Sequence, residues 1–400
     1  WRRSLSADSC KRLPSSIGAS WCVAGSRWLR PRYFCCLGLL LYARTSFITM
    51  DRNSFISKLP KTDLHVHLDG SLRETTLQEL AEKFSYDIPD GVFKDRYDSL
   101  EDYLSGFEFT CAVMRDEHSI ARIAYELCVD AFNEGVYYQE IRFAPQLLEY
   151  HGLTIPQILT AASAGIAKAE TEFNATTQIG LYRASIIVCA MRSPQQFASK
   201  SVAAVNSAIE ARDILGLPVV GFDLAGAEYG NPANEHCAAY KIAKDAGLGR
   251  TVHAGEADAA SSIADAIASC DAQRIGHGTH LLQDENLISL VRDNDVLLEV
   301  CLTSNMQTMP HLKDLSQHPY RQFIELDVPF TLATDNRLVS RTDVRTEYQR
   351  AAEFAELDHS QLAKIATKGF ASMFFPGSAG QAQQYRDAIK VETDRVRASC

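Results

Sequence analysis

An alternation of strand-like and helix-like segments, repeated eight times after Met50, is the feature that most limits the fold of this chain. The strand-like segments are short and rich in β-branched and aromatic residues, and they are followed by longer helical segments. This alternation predicts parallel strands joined by right-handed helical crossovers. Eight such units within 400 residues favour a single α/β domain, a (β/α)8 TIM barrel, which commonly exceeds about 250 residues.

The pattern places eight strands and ten helices along the chain. The predicted strands are Asp63–His67, Tyr137–Phe143, Gln178–Cys189, Val219–Asp223, Thr251–Ala254, Arg274–His277, Leu297–Cys301 and Phe330–Thr334. The helices predicted to follow them are Leu72–Phe84, Ile155–Phe173, Pro194–Leu215, Pro232–Ala246, Ala259–Ser269, Glu285–Asn294, Tyr320–Glu325 and Asp343–Phe354, with Gln361–Met373 and Ala379–Arg397 as extra C-terminal helices. An open doubly wound sheet is the alternative fold, but the turn after the first strand lacks the glycine-rich phosphate motif typical of that fold.

A helical insertion is predicted between the first and second strands, from Leu100 to Glu134. Leu100, Tyr103, Leu104 and Phe107 recur at the spacing of one apolar helix face. Packing in the core is the usual role of such a face. Because the insertion follows the first strand, where the mouth of a barrel lies, a lid over a pocket is the second interpretation.

The first 49 residues differ in composition from the rest of the chain. They contain all three Trp residues, four of the eleven Cys residues, and eight Lys or Arg against one Asp, a charge of +7. Since the whole chain carries −10, the residues from Met50 onward carry −17. We expect residues 1–49 to be a leader foreign to the native protein, or disordered, and residues 50–400 to form one catalytic domain. A targeting segment is the alternative, although no small-residue cleavage site follows its apolar stretch.

Charge and cysteine usage narrow the range of partners. The acidic charge and the lack of a basic stripe argue against nucleic acid, and the sequence has no apolar run of about 18 residues that would predict a membrane span. The seven Cys residues after Met50 are scattered, which is typical of reduced thiols in the cytoplasm. A small molecule is therefore the expected partner, and the oligomeric state stays open.

Two histidines one residue apart, His65 and His67, lie in the first predicted strand. Side chains alternate along a strand, so both rings point the same way and could bind one metal ion. Functional groups of a barrel collect at the carboxyl ends of its strands. Four other predicted strand ends also carry acids or histidines: Asp223 to Glu228, His253 to Glu256, His277, and Asp335-Asn336. This convergence predicts a metal site.

Three imidazoles and one carboxylate, those of His65, His67, His253 and Asp335, form the predicted ligand set for one Zn²⁺ ion. Zinc accepts nitrogen and oxygen ligands at about 2.0–2.2 Å and lowers the pKa of a bound water to about 7. Such an ion would provide a hydroxide nucleophile near neutral pH. Co²⁺ or Fe²⁺ remain alternatives, because ligand chemistry and metal availability both decide which ion is bound.

Two further residues have predicted roles in proton transfer. His277 exceeds the ligand count, and we expect it beside the attacking water as a base or an electrostatic aid, with Asp335 helping to carry the proton. Glu256 is the candidate general acid, because a carboxylic acid facing a ring nitrogen can protonate it and make the ring carbon electrophilic. Found alone, His277 would be an ordinary core histidine and Glu256 a solvated loop acid.

Five motifs together carry a family resemblance: Asp63–Gly70, Gly221–Glu228, His253–Glu256, Arg274–Gly278 and Thr334–Asn336. In this order they resemble the adenosine deaminase family, zinc enzymes of the amidohydrolase superfamily. Each motif alone is weakly specific, whereas five in order are strongly specific, and the resemblance extends from about Leu59 to Phe374. The family fold is a (β/α)8 barrel, in agreement with the eight predicted strands.

The resemblance implies a role for each candidate residue. His65, His67, His253 and Asp335 look like the zinc ligands, Glu256 like the proton donor to purine N1, and His277 like the partner of the attacking water. The residues implied to contact the substrate are His67, Asp69 at the ribose, Gly226 through its backbone, Asn336, and the apolar gate residues Leu100, Leu104 and Phe107.

The chain departs from the family pattern at Asn336. Many members carry a second aspartate after the residue that matches Asp335, and that aspartate contacts purine N7, a hydrogen-bond acceptor. An aspartate must hold a proton to donate there, whereas an asparagine amide donates at any pH. Recognition of N7 should therefore persist, but the choice among 6-aminopurine compounds is less certain.

The sequence therefore predicts a zinc hydrolase of purine salvage that converts adenosine, and 2′-deoxyadenosine, to inosine and ammonia. A deaminase of adenine or another 6-aminopurine is the nearest alternative, and a substrate panel would separate the two. A catalytically silent nucleoside-binding protein is the alternative from another class, although no predicted ligand is missing. The motifs of cytidine-type zinc deaminases, of HExxH metalloproteases and of phosphate-binding loops are absent from the sequence.

Overall fold

The computed structural model describes residues 50–176, 181–192 and 198–399, which belong to one compact unit. The predicted leader, residues 1–49, lies outside the described residues. Within the described part of the chain, eight parallel strands form one sheet in sequence order. The strands are β1 Lys61–His67, β2 Val136–Phe143, β3 Arg183–Arg192, β4 Val219–Gly226, β5 Gly249–Ala254, β6 Arg274–His277, β7 Leu297–Val300 and β8 Phe330–Leu332.

The sheet closes on itself where β1 meets the chain just beyond β8. The backbone N–H of His67 donates to the carbonyl of Asp335 at 2.8 Å, and the N–H of Asp335 donates to the carbonyl of His65 at 2.7 Å. The hydroxyl of Thr334 adds a hydrogen bond of 2.7 Å to the carboxylate of Asp63. The predicted (β/α)8 barrel is confirmed, and its seam depends on a few hydrogen bonds because β8 itself is only three residues long.

Helices follow every strand in the described residues, as the alternation predicted. One helix, α1 Arg52–Lys58, precedes β1. The others are α2 Glu74–Phe84, α3 Leu100–Leu104, α4 Phe107–Val113, α5 Glu117–Asn133, α6 Ile155–Thr176, α7 Ala198–Asp213, α8 Cys237–Asp245, α9 Ala260–Cys270, α10 Glu285–Asp293, α11 Leu302–Thr308, α12 Tyr320–Glu325, α13 Arg337–Ser340, α14 Val344–Phe354, α15 His359–Ser372 and α16 Ala379–Ala398. No described helix combines the length and the apolar content needed to cross a membrane.

The third strand begins later than the sequence predicted. It was expected from Gln178, a residue outside the described part of the chain, but β3 starts at Arg183. The side chain of Asn174 accepts from the N–H of Tyr182 and donates to its carbonyl, at 2.9 and 3.0 Å. Tyr182 therefore has no backbone groups left for strand pairing. Likewise, the fourth helix was predicted from Pro232 but begins as a short 3-10 turn, Ala233–His236, before α8.

The prediction of one helix spanning Leu100 to Phe107 is wrong. The chain makes two short helices there, α3 and α4, with a turn at Ser105 and Gly106. The N–H of Gly106 bonds to the carbonyl of Tyr103, three residues back and not four, which ends α3. The predicted apolar residues still pack together, because α3 and α4 contribute to one small cluster around Tyr97, Leu100, Tyr103 and Val339.

Charged side chains fill the barrel interior. Arg142 on β2 donates to Asp223 at 3.1 Å and to Glu299 at 2.8 Å. Arg274 lies 2.7 Å from the other oxygen of Glu299 and also donates to Glu140. All five side chains are fully buried or nearly so. Since breaking one partner of a buried pair leaves an uncompensated charge, costing about 3–5 kcal/mol, these pairs tightly fix how the strands are placed around the barrel.

Close packing of α5 against α6 generates a stability prediction at Gly165. A Cβ at this residue would lie 2.2 Å from the carbonyl oxygen of Ala121 and 2.9 Å from the backbone nitrogen of Tyr125. We expect Gly165→Ala to lower the free energy of unfolding by about 1–3 kcal/mol, because the clash is with backbone and the two helices must move apart. Chemical denaturation measures the change.

Gly380 on α16 is the matched control. It is also helical, but the nearest atom to an added Cβ is 3.9 Å away. Gly380→Ala should leave stability unchanged or raise it by up to about 1 kcal/mol. Equal unfolding midpoints for Gly165→Ala and the parent chain would contradict the packing described.

Candidate metal centre and substrate pocket

Five polar side chains meet above the carboxyl ends of four strands. His65 and His67 come from β1, His253 from β5 and His277 from the end of β6, while Asp335 follows β8 at the seam. Each side chain belongs to a buried residue. The structure thus brings all four predicted ligands together, and it places His277 beside them.

The spacing of the donor atoms suits one metal ion. Nε2 of His67 lies 3.2 Å from Nε2 of His253 and 3.4 Å from Oδ1 of Asp335, and Nε2 of His65 is also 3.4 Å from that oxygen. One donor atom each from His65, His253, His277 and Asp335 lies within 4.8 Å of the others. Tetrahedral ligands at about 2.1 Å from an ion are about 3.4 Å apart, so the cluster could hold an ion with little rearrangement.

Two of the histidine rings are oriented by carboxylates behind them, so that the unprotonated nitrogen of each ring points toward the cluster. Nδ1 of His65 donates to Glu299 at 2.8 Å, and Nδ1 of His253 donates to Asp223 at 3.0 Å. The Nε2 atoms therefore carry lone pairs, and in the described part of the chain Nε2 of His65 has no hydrogen-bond partner. A carboxylate that fixes a histidine in this way is the usual outer partner of a metal ligand.

Asp335 is held as a carboxylate. Burial alone would raise its pKa, but the neighbouring rings of His65 and His67 keep the pKa below its usual range. The hydroxyl of Ser304 donates to Oδ2 of Asp335 at 2.6 Å, which leaves Oδ1 for the cluster. Both Asp335 and His277 have left-handed backbone conformations, with φ of 61° and 68°. Such conformations cost about 1–3 kcal/mol in a non-glycine residue and are typical of functional sites.

Glu256 is a buried acid beside this cluster. Burial, with a smaller effect from the charge of Asp335, raises the pKa of Glu256 to about 8. The hydroxyl of Thr308 lies 2.8 Å from Oε1. The loop is fixed by Glu228, whose carboxylate accepts from the N–H groups of Glu256 and Ala257 at 3.0 and 2.6 Å. Glu256 can therefore hold a proton at neutral pH, as a general acid requires.

A pocket lies in front of the cluster, and the space inside it that water molecules can occupy is about 170 Å³. Its lining contains every predicted substrate contact and the predicted catalytic residues. The lining residues are His67, Asp69, Leu100, Tyr103, Leu104, Phe107, Ala144, Leu147, Cys189, Met191, Ala225, Gly226, His253, Glu256, His277, Asp335 and Asn336.

Three polar positions in the pocket stand out. Oδ1 of Asp69 and Oδ1 of Asn336 are buried without a hydrogen-bond partner in the described residues. Burial also raises the pKa of Asp69 to about 7. Gly226 has a φ of 98°, and an added Cβ would lie 2.8 Å from the carbonyl of Arg192. Only glycine fits there, so a ligand can approach the backbone closely.

The α3–α4 segment covers one side of the pocket. Leu100, Leu104 and Phe107 line it, and the ring of Phe107 lies edge-on to that of His67 with 6.5 Å between centroids. Tyr103 anchors the segment through a 2.8 Å hydrogen bond between its hydroxyl and that of Ser340. The segment therefore lies where a lid over the pocket, the second interpretation of this insertion from the sequence, would have to lie.

Helix α11, Leu302–Thr308, supplies polar groups that the sequence analysis missed. Ser304, Asn305 and Thr308 contact three of the predicted site residues, and the amide of Asn305 lies 3.0 Å from Nδ1 of His277. Nearly every side chain of α11 is buried, so no apolar face stands out against a polar one. Its position after β7 was the available signal, because barrels place functional groups there.

The comparisons with known proteins agree on one family. The family model described as adenosine deaminase matches residues 60–390. The adenosine deaminase of Enterococcus faecalis is 33% identical over 80% of this chain and 94% of that protein, and that of Shewanella halifaxensis is 36% identical over 79% and 95%. The solved adenine deaminase of Arthrobacter aurescens superposes with a TM-score of 0.74 at 21% identity over 84% of this chain and 99% of that one, a likeness of fold.

Fold, site and relatives together define a hydrolase that acts on C–N bonds, with a histidine and aspartate cluster suited to a metal ion. The chain belongs to the adenosine deaminase family.

The outer carboxylates generate a prediction about metal retention. Asp223→Asn should weaken metal binding about 10–100-fold, because Asn can turn its amide N–H₂ toward His253 and no longer fixes the free nitrogen of that ring. Competition with a chelator, followed by metal analysis, measures the change. Glu140→Gln is the matched control, since Glu140 is also buried and paired with an arginine but bonds to no histidine among the described residues. Equal metal retention in the two variants would contradict this role of Asp223.

Proposed function

We propose that this chain catalyses the hydrolytic deamination of adenosine, and of 2′-deoxyadenosine, to inosine and ammonia with one Zn²⁺ ion, in the domain formed by residues 50–400. The observation that carries the proposal is Glu256, a buried acid with a pKa of about 8, beside the cluster at the floor of the pocket. An acid and a metal site at the floor of one pocket are what addition of water to C6 of a 6-aminopurine requires.

His65, His67, His253 and Asp335 would hold the ion, since their donor atoms converge and the carboxylates behind His65 and His253 leave Nε2 free. Imidazole and carboxylate ligands suit Zn²⁺. When bound, the ion acts as a Lewis acid and lowers the pKa of its water to about 7.

Glu256 donates its proton to N1 of the purine as water adds to C6. Protonation of N1 draws electrons from C6 and makes this carbon more electrophilic. Nε2 of His277 lies 3.4 Å from Oε2 of Glu256, so its ring faces the same side of the pocket as the acid. From there it would hydrogen-bond to the oxygen that attacks C6. Asp335 accepts one proton from the water and passes it to the amino group. The C6–N bond then breaks and ammonia leaves, while the remaining hydroxyl proton returns to Glu256 as the C6 carbonyl forms.

Binding groups around the pocket orient the nucleoside. The amide N–H of Asn336 donates to purine N7, and Gly226 lets the purine approach its backbone. Asp69 accepts from a ribose hydroxyl, which would satisfy its unpartnered oxygen. Leu100, Leu104 and Phe107 exclude bulk water, which strengthens the charge interactions inside the pocket.

The charge of the pocket favours a nucleoside over a nucleotide. None of the residues that line it is Lys or Arg, and Asp69 lies in the part assigned to the ribose. A 5′-phosphate would lose its hydration without gaining a cationic partner, which is unfavourable in a buried site. Adenosine is therefore the preferred substrate, ahead of its monophosphate.

The reaction is assigned to the cytoplasm. Six cysteines in the described residues are free thiols and five of them are buried. Free thiols persist where the compartment is reducing.

A substrate panel tests the proposal. Purified chain should convert adenosine and 2′-deoxyadenosine, measured by the loss of ultraviolet absorbance of the 6-aminopurine, with kcat/KM at least about 100-fold above that for adenosine 5′-monophosphate. Removal of metal should abolish turnover, and added Zn²⁺ should restore it. Faster turnover of adenine than of adenosine would instead support an adenine deaminase. Tight binding of adenosine without turnover, even with Zn²⁺, would support the silent nucleoside-binding protein.

The proton donor gives a second test through Glu256→Gln. The amide cannot release a proton, so kcat should fall about 10²–10⁴-fold, while binding of inosine changes little. Glu149→Gln, at an exposed carboxylate, is the control and should match the parent. In the parent, kcat should fall as pH rises through the pKa of Glu256, because the acid form is lost above it. A bound cation lowers this pKa, so the alkaline limb should lie at or below about pH 8. A flat profile up to pH 9 would contradict the role.

A further inference from the structure

A chain of buried hydrogen bonds runs from a backbone amide to His277. The N–H of Tyr320 donates to Nδ1 of His318 at 3.1 Å. Nε2 of His318 lies 3.2 Å from Oδ1 of Asn305, and Nδ2 of Asn305 lies 3.0 Å from Nδ1 of His277. His318, Asn305 and His277 are all buried. No role in the reaction has been given above to His318, and Asn305 has been described only by its contact with His277.

The backbone amide fixes the direction of every bond in this chain. A peptide N–H can only donate, so Nδ1 of His318 must be an acceptor and its proton must be on Nε2. Nε2 of His318 therefore donates to Asn305, whose oxygen must face His318 and whose amide N–H must face His277. Burial lowers the pKa of His318 to about 3, which keeps this ring neutral.

The orientation of Asn305 also fixes the position of the proton on His277. Because the amide of Asn305 donates to Nδ1 of His277, this nitrogen carries a lone pair and the proton of the neutral ring is on Nε2. Nε2 is the atom that faces the site, 3.4 Å from Oε2 of Glu256. A reversed Asn305 amide would put two N–H groups head to head at His318, which buried groups avoid because both would stay unsatisfied.

We propose that Asn305, oriented by His318, is a positioning residue that holds His277 in the Nε2–H tautomer. His277 then offers the reacting centre a hydrogen-bond donor and no lone pair. It neither coordinates the metal ion nor removes a proton from water, and Asp335 is left as the base. This inference rests on the proposed function for its catalytic consequence, but the tautomer itself can be measured without any substrate.

The ring nitrogens of His277 give the direct test. Nitrogen-15 NMR of the full chain, labelled at histidine and supplied with Zn²⁺, distinguishes a protonated from an unprotonated ring nitrogen, and the His277→Asn variant assigns the signals. We expect Nδ1 of His277 to be unprotonated and Nε2 protonated. The opposite pattern would overturn the proposal. If the tautomer is as expected but adenosine is not deaminated, the proposed function fails and this inference stands.

Two substitutions at His318 separate positioning from simple packing. His318→Gln can still donate to Asn305, whereas His318→Leu cannot and frees the amide to turn. His318→Leu should disturb the signals of His277 and lower kcat about 10-fold or more, with KM nearly unchanged, and His318→Gln should restore both. Unchanged His277 signals in His318→Leu would overturn the role of His318.

His236→Leu is the matched control for the loss of a buried histidine. His236 is buried and its ring bonds to Ser201. This variant should lower stability to a similar degree without altering the signals of His277 or kcat. Equal effects of His236→Leu and His318→Leu on kcat would indicate a purely structural role and overturn the proposal.

Asn305→Asp tests the hydrogen bond from the other side. A carboxylate can only accept, so Nδ1 of His277 would become protonated and Nε2 would lose its proton. We expect the two nitrogen signals to exchange character and kcat to fall about 100-fold. If the signals keep the pattern of the parent chain, Asn305 does not set the tautomer. The measurement on the unmodified chain decides the proposal even if this variant does not fold.

Discussion

The carboxylate of Glu299 is the group on which the site and the barrel both depend. One oxygen accepts from His65 and Arg142, each at 2.8 Å, and the other faces Arg274 at 2.7 Å. Burial alone would raise its pKa, but the two guanidinium groups hold it below its usual range, so it stays ionised. The positions of β1, β2, β6 and β7 are thus tied to one point. The orientation of His65 is a direct result, because its ring follows the carboxylate.

The alternation of strands and helices and the acids and histidines at strand ends were readable from the sequence. Both are local patterns, and barrel geometry places strand ends together. The interior pairs were not readable, because the partners of Arg142 and Glu140 are far along the chain and nothing local in β2 indicates them. Helix α11 was missed because it is buried on all sides and short. The break between α3 and α4 was missed because apolar spacing at i, i+3 and i+4 does not report a turn.

The acids of the site differ in protonation state because their surroundings differ. The rings of His65 and His67 keep Asp335 ionised, whereas burial is the largest influence on Glu256 and Asp69 and favours their protonated forms. Neighbouring acids held in different protonation states allow one to accept a proton while another donates one. The histidines also differ in where they hold their proton, since the hydrogen-bond partner behind each ring decides which nitrogen is protonated.

The short β8 has a consequence for how this molecule comes apart. Asp335 follows β8 on one side of the seam, and His65 and His67 lie on the other side. An ion bound by all three residues would therefore cross-link the first strand to the last. Because the ion binds the closed barrel and not the opened one, the melting temperature should increase with free metal concentration. Metal-depleted molecules would then open first along this line, with rapid amide exchange at β1 and β8 while the opposite wall stays protected.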